Sequence, residues 1–217
     1  MRKGLTEIVF ILDRSGSMGG LEADTVGGFN SLIKKQKDVE GEALVSLVLF
    51  NHTSEVIYDR VPVRTIKPLT DRQYFTCGNT ALLDAVGDAI HHIVNVHKYA
   101  REEDVPEKTM LVITTDGMEN SSHKYSYNQI KEMIKKEREK YGWEFLFLGA
   151  NIDALEVAED LGIDRNRASN YKQDSHGVEL NFKCFEAAVT SVRQGKNLTS
   201  DWCKQARQYY EKDKEKR

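Results

Sequence analysis

The chain has 217 residues, 40% of them hydrophobic and 30% charged, with 31 basic and 34 acidic side chains and a formal net charge of -3. A chain of this length hides about 70% of its unfolded surface in one core, so a single domain suffices. Because the two signs of charge are mixed along it, no broad field exists for nucleic acid or an anionic membrane, and binding has to come from a local site.

Cys77, Cys184 and Cys203 lie far apart and form no CxxC or Cys/His cluster. That argues against a zinc site and a disulfide framework, and reduced thiols in a cytosol are expected. The first residues, MRKGLTEIVFILDRSGSM, carry basic groups and a short apolar run. The run stops at Asp13 and Arg14, too soon for a signal-peptide core or a membrane span, so it reads as a buried strand and the chain as cytoplasmic.

Short apolar runs alternate with segments of helical period, as expected of a largely parallel sheet with helices on both faces. The first strand covers Glu7 to Leu12 and leads straight into Asp13. A helix follows from about Leu21 to Lys37, with Phe29, Leu32 and Ile33 inward and Lys34, Lys35 and Lys37 at its dipole-favoured end. Gly27 and Gly28 weaken it, and close packing against the sheet is their expected reason. Ala43 to Asn51 and Glu55 to Arg60, joined by His52-Thr53-Ser54, predict an antiparallel edge pair.

From Thr80 to about Tyr99, Leu83, Val86, Ile90, Val94 and His97 recur at helical spacing. Thr109 to Thr115 is a buried strand ending at Asp116, before a polar loop from Gly117 to Lys124. Ser126 to Gln129 is a capping-box pattern for a helix closing at Gly142, with Tyr127, Ile130, Ile134 and Tyr141 inward. Glu144 to Leu148 is a further strand, and Asp153 to Glu156 opens a short helix that Gly162 ends. Ala168 to Lys172 predicts a last short strand. Val178, Phe182, Phe185, Val189 and Val192 define a helix. Beyond Ser200, a candidate cap, Trp202, Ala206, Tyr209 and Tyr210 line another, which frays at EKDKEKR. The expected fold is α/β and doubly wound, a mostly parallel sheet of about six strands with one antiparallel edge strand. Residues 1–199 form the domain, and 200–217 a C-terminal helix and charged tail packed on it.

Asp13 and Asp116 each follow an apolar run, which places both carboxylates at the carboxyl edge of the sheet, where open α/β folds hold their ligands. Thr80 begins a helix that returns to that sheet, so its hydroxyl reaches the same edge. In Asp13-Arg14-Ser15-Gly16-Ser17, alternate residues offer a carboxylate and two hydroxyls, and Gly16 lets the backbone bend around what they bind. Few, hard oxygen donors suit Mg²⁺, which takes six ligands at about 2.0–2.1 Å and keeps water; Mn²⁺ is also allowed. Direct ligation by the hydroxyls of Ser15, Ser17 and Thr80, with Asp13 and Asp116 acting partly through water, leaves the cation charge for an external acidic group.

DRSGSM after a buried strand, GNTALLDA opening a helix and TTDG after a second strand resemble the three segments of the metal-ion-dependent adhesion site (MIDAS) in von Willebrand factor type A (VWA) domains. The resemblance covers Thr6 to about Val192, and FLGANIDA is similar, less specifically, to bacterial intracellular members. It implies a Rossmann-like fold, with Asp13, Ser15, Ser17, Thr80 and Asp116 as the metal positions, and a protein partner that donates Asp or Glu. The expected function is a non-enzymatic interaction module. The alternative is a metal-dependent phosphohydrolase, with Glu119 or His123 as base. Nucleotide binding at Gly16 to Gly20 matches neither phosphate-loop pattern. Arg14 is expected in a structural salt bridge or in solvent, Cys77 as an inert thiol, and His91, His92 and His97 as packing or surface residues.

Overall fold

The computed structural model describes residues 1–214. The elements in chain order are β1 (Arg2–Asp13), α1 (Glu22–Asp38), β2 (Glu42–Phe50), β3 (Ser54–Pro62), α2 (Leu82–Tyr99), β4 (Pro106–Thr115), α3 (Tyr127–Tyr141), β5 (Glu144–Gly149), α4 (Ala154–Asp160), β6 (Ala168–Asn170), α5 (Ser175–Arg193) and α6 (Lys204–Lys214). Six strands form one sheet in the order β3-β2-β1-β4-β5-β6. Every pairing is parallel except β2 with β3, so the expected doubly wound architecture with one antiparallel edge is what forms.

The period of two along a strand divides β1 between two cores. Ile8, Phe10 and Leu12 pack with α1 and α5 through Phe29, Leu32, Phe182 and Phe185. Val9 and Ile11 face α2, α3 and α4 through Leu82, Val86, Ile90, Ile130, Ile134 and Ala154. Asp13 shares the parity of Val9 and Ile11, which directs it to the α2 side, where Thr80 arrives. Burial on both faces explains why the apolar run has no polar alternation. Helix α3 starts with the expected capping box, Ser126 accepting from the Gln129 amide, and ends on Gly142 in the left-handed region.

Several local expectations are corrected. Tyr141, the last residue of α3, is 52% exposed, while Glu137 one turn earlier and Trp143 just beyond the helix are buried. Thr80 precedes α2 by two residues and lies in the loop before it. The last strand stops at Asn170, and α6 begins at Lys204 without a Ser200 cap. Of the tail expected to fray, residues 211–214 are helical, and 215–217 lie outside the described residues. Cys184 and Cys203 are brought together, Sγ to Sγ 2.8 Å, because the chain turns back between α5 and α6.

The pair Gly27-Gly28 splits into two cases. A Cβ on Gly28 would stand 2.2 Å from the Phe182 ring of α5, whereas one on Gly27 would meet nothing within 4 Å. Close approach is therefore needed at Gly28 only, and against a helix, not against the sheet. Gly28→Ala is expected to cost about 2 kcal/mol by overpacking, and Gly27→Ala to stabilise by about 0.5–1 kcal/mol. Urea denaturation of the two variants checks this opposition of sign.

Candidate metal centre

Strand order reverses at β1, which has β2 on one side and β4 on the other. The crevice at such a switch point is where this architecture collects loops. Asp13 closes β1 and Asp116 directly follows β4, so neighbouring parallel strands deliver both carboxylates to one edge. Backbone hydrogen bonds sew in the other segments: Gly16 N donates to Gly78 O (3.0 Å), Cys77 N to Arg14 O (3.0 Å) and Ala81 N to Asn51 O (2.7 Å). Thr80 and Asn120 tie the α2 and β4 loops together, Thr80 N donating to Asn120 Oδ1 (2.9 Å) and Asn120 N to Thr80 O (3.0 Å).

All five predicted positions converge. Asp13 Oδ1 accepts from Ser15 N (2.6 Å) and Oδ2 from Thr115 Oγ1 (2.5 Å). Ser15 Oγ lies 3.0 Å from Ser17 Oγ, and Ser17 Oγ donates to Asp116 Oδ1 (2.6 Å). A Cβ built on Gly117 would sit 3.0 Å from Thr80 Oγ1 and 3.3 Å from Ser17 Oγ. The two hydroxyls therefore border the same small space, and the glycine leaves it open.

Asp13 is 0% and Asp116 1% exposed. Burial pushes the Asp13 carboxyl above its ordinary value, against the pull of its hydrogen bonds from Thr115 and Ser15. Burial, helped by the neighbouring Asp13 charge, pushes Asp116 up to about 6. The named donors to both groups are neutral hydroxyls and amides, so two buried negative charges face one space without a positive side chain among those donors. A divalent cation fits that electrostatic deficit and that set of hard oxygens. Among the described residues no group of three or more His, Cys, Asp or Glu gathers as a metal site, so any ion here depends on hydroxyl ligands.

The raised Asp116 value carries a pH dependence. Between about pH 4 and pH 6 the metal-free folded chain holds a proton that the unfolded chain has released, so stability present below pH 4 is lost as pH rises through 6. The shift corresponds to about 3 kcal/mol. In chelator, the Tm of the wild-type chain is expected to fall between pH 5 and pH 7 more steeply than that of Asp116→Asn, which thermal denaturation at the two pH values compares.

Some of the surroundings were not foreseen. Gln173, from the turn after β6, donates Nε2 to Asp116 Oδ2 (2.5 Å) and to Ser17 O (2.7 Å), bridging two of the three segments. Tyr74 donates its hydroxyl to Asp13 O (2.5 Å). Thr115 was visible in TTDG as a hydroxyl beside Asp116, whereas no local pattern marks Gln173 or Tyr74. Arg14 is buried in a salt bridge to Glu55 (2.8 Å) and lies over the Phe75 ring (4.9 Å), the structural role expected of it. Cys77 is an exposed free thiol accepting from Asn51.

The loop after Asp116 is laced to α2. Glu119 accepts from Leu83 N, Ser121 N, Ser122 N and Ser122 Oγ. Asp84 accepts from the amides of His123, Lys124 and Tyr125. Met118 is left 72% exposed beside the site.

The profile of the von Willebrand factor type A domain matches residues 7–180, and the chain belongs to that family. No curated protein sequence matches it. Among solved structures, it is similar to a mutant of the PilB minor pilin from Streptococcus sanguinis at 12% identity and TM-score 0.60, over 89% of this chain and 63% of that one. Proximal thread matrix protein 1 from the mussel byssus, with a zinc-occupied MIDAS motif, is similar at 13% identity and TM-score 0.58, over 85% and 46%. The manganese-loaded TRAP protein of Plasmodium vivax is similar at 16% identity and TM-score 0.57, over 86% and 75%. At these identities the likeness is one of fold. The chain spans less than two thirds of the length of the first two. Among the described residues no helix is long and apolar enough to cross a membrane.

Proposed function

We propose that the chain is a metal-dependent protein-interaction module, holding Mg²⁺ or Mn²⁺ at the sheet edge and presenting it to an Asp or Glu of a partner protein. Ser15, Ser17 and Thr80 are the direct hydroxyl ligands, and Asp13 and Asp116 balance the charge and orient bound water. The observation that carries this reading is the convergence of these two buried carboxylates with neutral donors around them. Bound there, the cation supplies a positive charge with room for one external ligand. The zinc-occupied and manganese-loaded neighbours of the same fold support a divalent ion in this crevice.

The phosphohydrolase alternative needs a base. Of the two bases the sequence offered, Glu119 and His123, the Glu119 oxygens are taken by four donors at the start of α2 and in its own loop. That arrangement favours a structural cap over a proton acceptor.

Calorimetric titration of the full chain with Mn²⁺, then with a Glu-containing peptide and its Gln counterpart, tests the proposal. Saturable Mn²⁺ binding, followed by metal-dependent binding of the Glu peptide alone, is the expected result. Absence of Mn²⁺ binding, or equal binding of both peptides in chelator, overturns it.

A further inference from the structure

Two of the three cysteines meet inside the protein, away from the metal centre. Cys184 lies on the buried side of α5, and Cys203 ends the turn that leads into α6; they are 5% and 0% exposed. Their sulfurs are 2.8 Å apart across a separation of 19 residues, so a movement of under about 1 Å reaches the length of a disulfide bond. The adjacent pair fixes this register, because Phe185 stacks on Trp202 with ring centroids 6.4 Å apart and planes at 15°. Trp202 is itself anchored by its Nε1 donating to Asn166 O (2.9 Å). Two rigid aromatic neighbours thus hold the thiols face to face, which is more than chance burial of small apolar side chains requires.

We propose that Cys184 and Cys203 are a modification site, forming an intramolecular disulfide that staples α6 to α5. The two thiols are not equivalent. The hydrogen bond from Cys203 holds the Cys184 thiol below its ordinary value, with Arg207 contributing, while the same contact and burial push Cys203 up. Cys184, whose sulfur accepts the hydrogen bond from Cys203, is the thiol placed to attack first as thiolate. With glutathione disulfide as oxidant, the Cys184 sulfur attacks one sulfur of that disulfide, forming a mixed disulfide and releasing one glutathione thiolate. Cys203 then loses its proton and attacks the Cys184 sulfur, releasing the second. One protein disulfide forms, one glutathione disulfide is reduced to two thiols, and the two protein protons pass to solvent or to the released thiolates. Access comes from opening of α6, whose one fully buried side chain between 204 and 212 is Ala206. Opening also breaks the Tyr209 hydrogen bond to Asp174 (3.0 Å) and its edge contact with His176, which are few contacts beside those of the sheet core.

A crosslink at this point closes a short loop and limits that opening, which gives it a thermal signature. The test uses the full chain carrying Cys77→Ser, incubated with glutathione disulfide, denatured, treated with an alkylating reagent and digested for mass spectrometry. The expected product is a 184–203 linked peptide pair, lighter by two hydrogen atoms than the sum of its parts, with neither thiol alkylated. Its Tm is expected to rise by about 5 °C over the reduced form, and the rise is expected to vanish in Cys184→Ser and in Cys203→Ser. Alkylation of both thiols after oxidation, or a persistent glutathione adduct on Cys184, overturns the site. A crosslink without a rise in Tm overturns the staple.

Discussion

Asp116→Ala is expected to lower Mn²⁺ affinity at least about 100-fold while leaving the metal-free protein as stable as the wild type or more so. The two effects have opposite signs because Asp116 has opposite roles in the two states. In the metal-free chain it is a buried carboxylate beside another, and removing it relieves that repulsion. With a cation present, it supplies about half of the balancing charge. At an effective dielectric of about 20, one unit charge about 4 Å from another is worth about 4 kcal/mol, and about 2.7 kcal/mol already gives the 100-fold loss. Ser15→Ala removes a neutral ligand, and a loss nearer tenfold is expected. Calorimetric titration gives the affinities, and urea denaturation in chelator gives the stabilities. An Asp116→Ala chain that binds Mn²⁺ normally would falsify the assignment of this carboxylate to the site.

Glu7→Ala is expected to cost about 3–5 kcal/mol of folding stability, with Mn²⁺ affinity of the folded protein unchanged. Glu7 is 0% exposed in β1. It accepts from Arg60 Nε (2.6 Å) and pairs with His97 Nε2 (2.5 Å). Arg60 reaches it because β3 is irregular there: its φ is 51°, its amide donates to Ser46 Oγ, and the β2–β3 register shifts beside it. Removing the acceptor leaves the Arg60 charge half-buried and without its partner, a case in which the penalty exceeds the worth of the original pair. Arg60→Met in the same chain is expected to recover part of the loss, since the stranded charge goes with it. The site is spared because Glu7 lies six residues before Asp13, about 20 Å along an extended strand. Urea denaturation of the single and double variants, with Mn²⁺ titration of each, separates the two effects.

The carboxyl edge was legible because an apolar run stopping at an acidic residue identifies both the strand and the side chain at its end, as at Asp13 and Asp116. Thr80 needed the motif around it, since helical period alone started α2 two residues too early. The unbroken apolar run predicted β1, but it could not show that Glu7 at its start is buried among polar partners, because those lie 53 and 90 residues away. Contacts of that kind depend on tertiary placement. Gln173 reaches Asp116 across 57 residues from a turn with no motif of its own, and Gly28 owes its need for space to a ring on α5. The assignment of Tyr141 to the inner face of α3 failed for a related reason: helical period holds only to the helix end, and past Gly142 the buried aromatic is Trp143. The cysteines were read by their spacing, which says nothing about a chain that doubles back.

The lacing of the loop after Asp116 bears on how a molecule would meet this edge. Three consecutive amides held by Asp84, and the Glu119 carboxylate returned to the start of α2, leave the backbone on either side of Met118 already in place. Docking against Met118 requires no coil-to-order transition of this rim, so little configurational entropy is surrendered on association. A partner meeting this rim would therefore dock as a rigid body on a surface already formed.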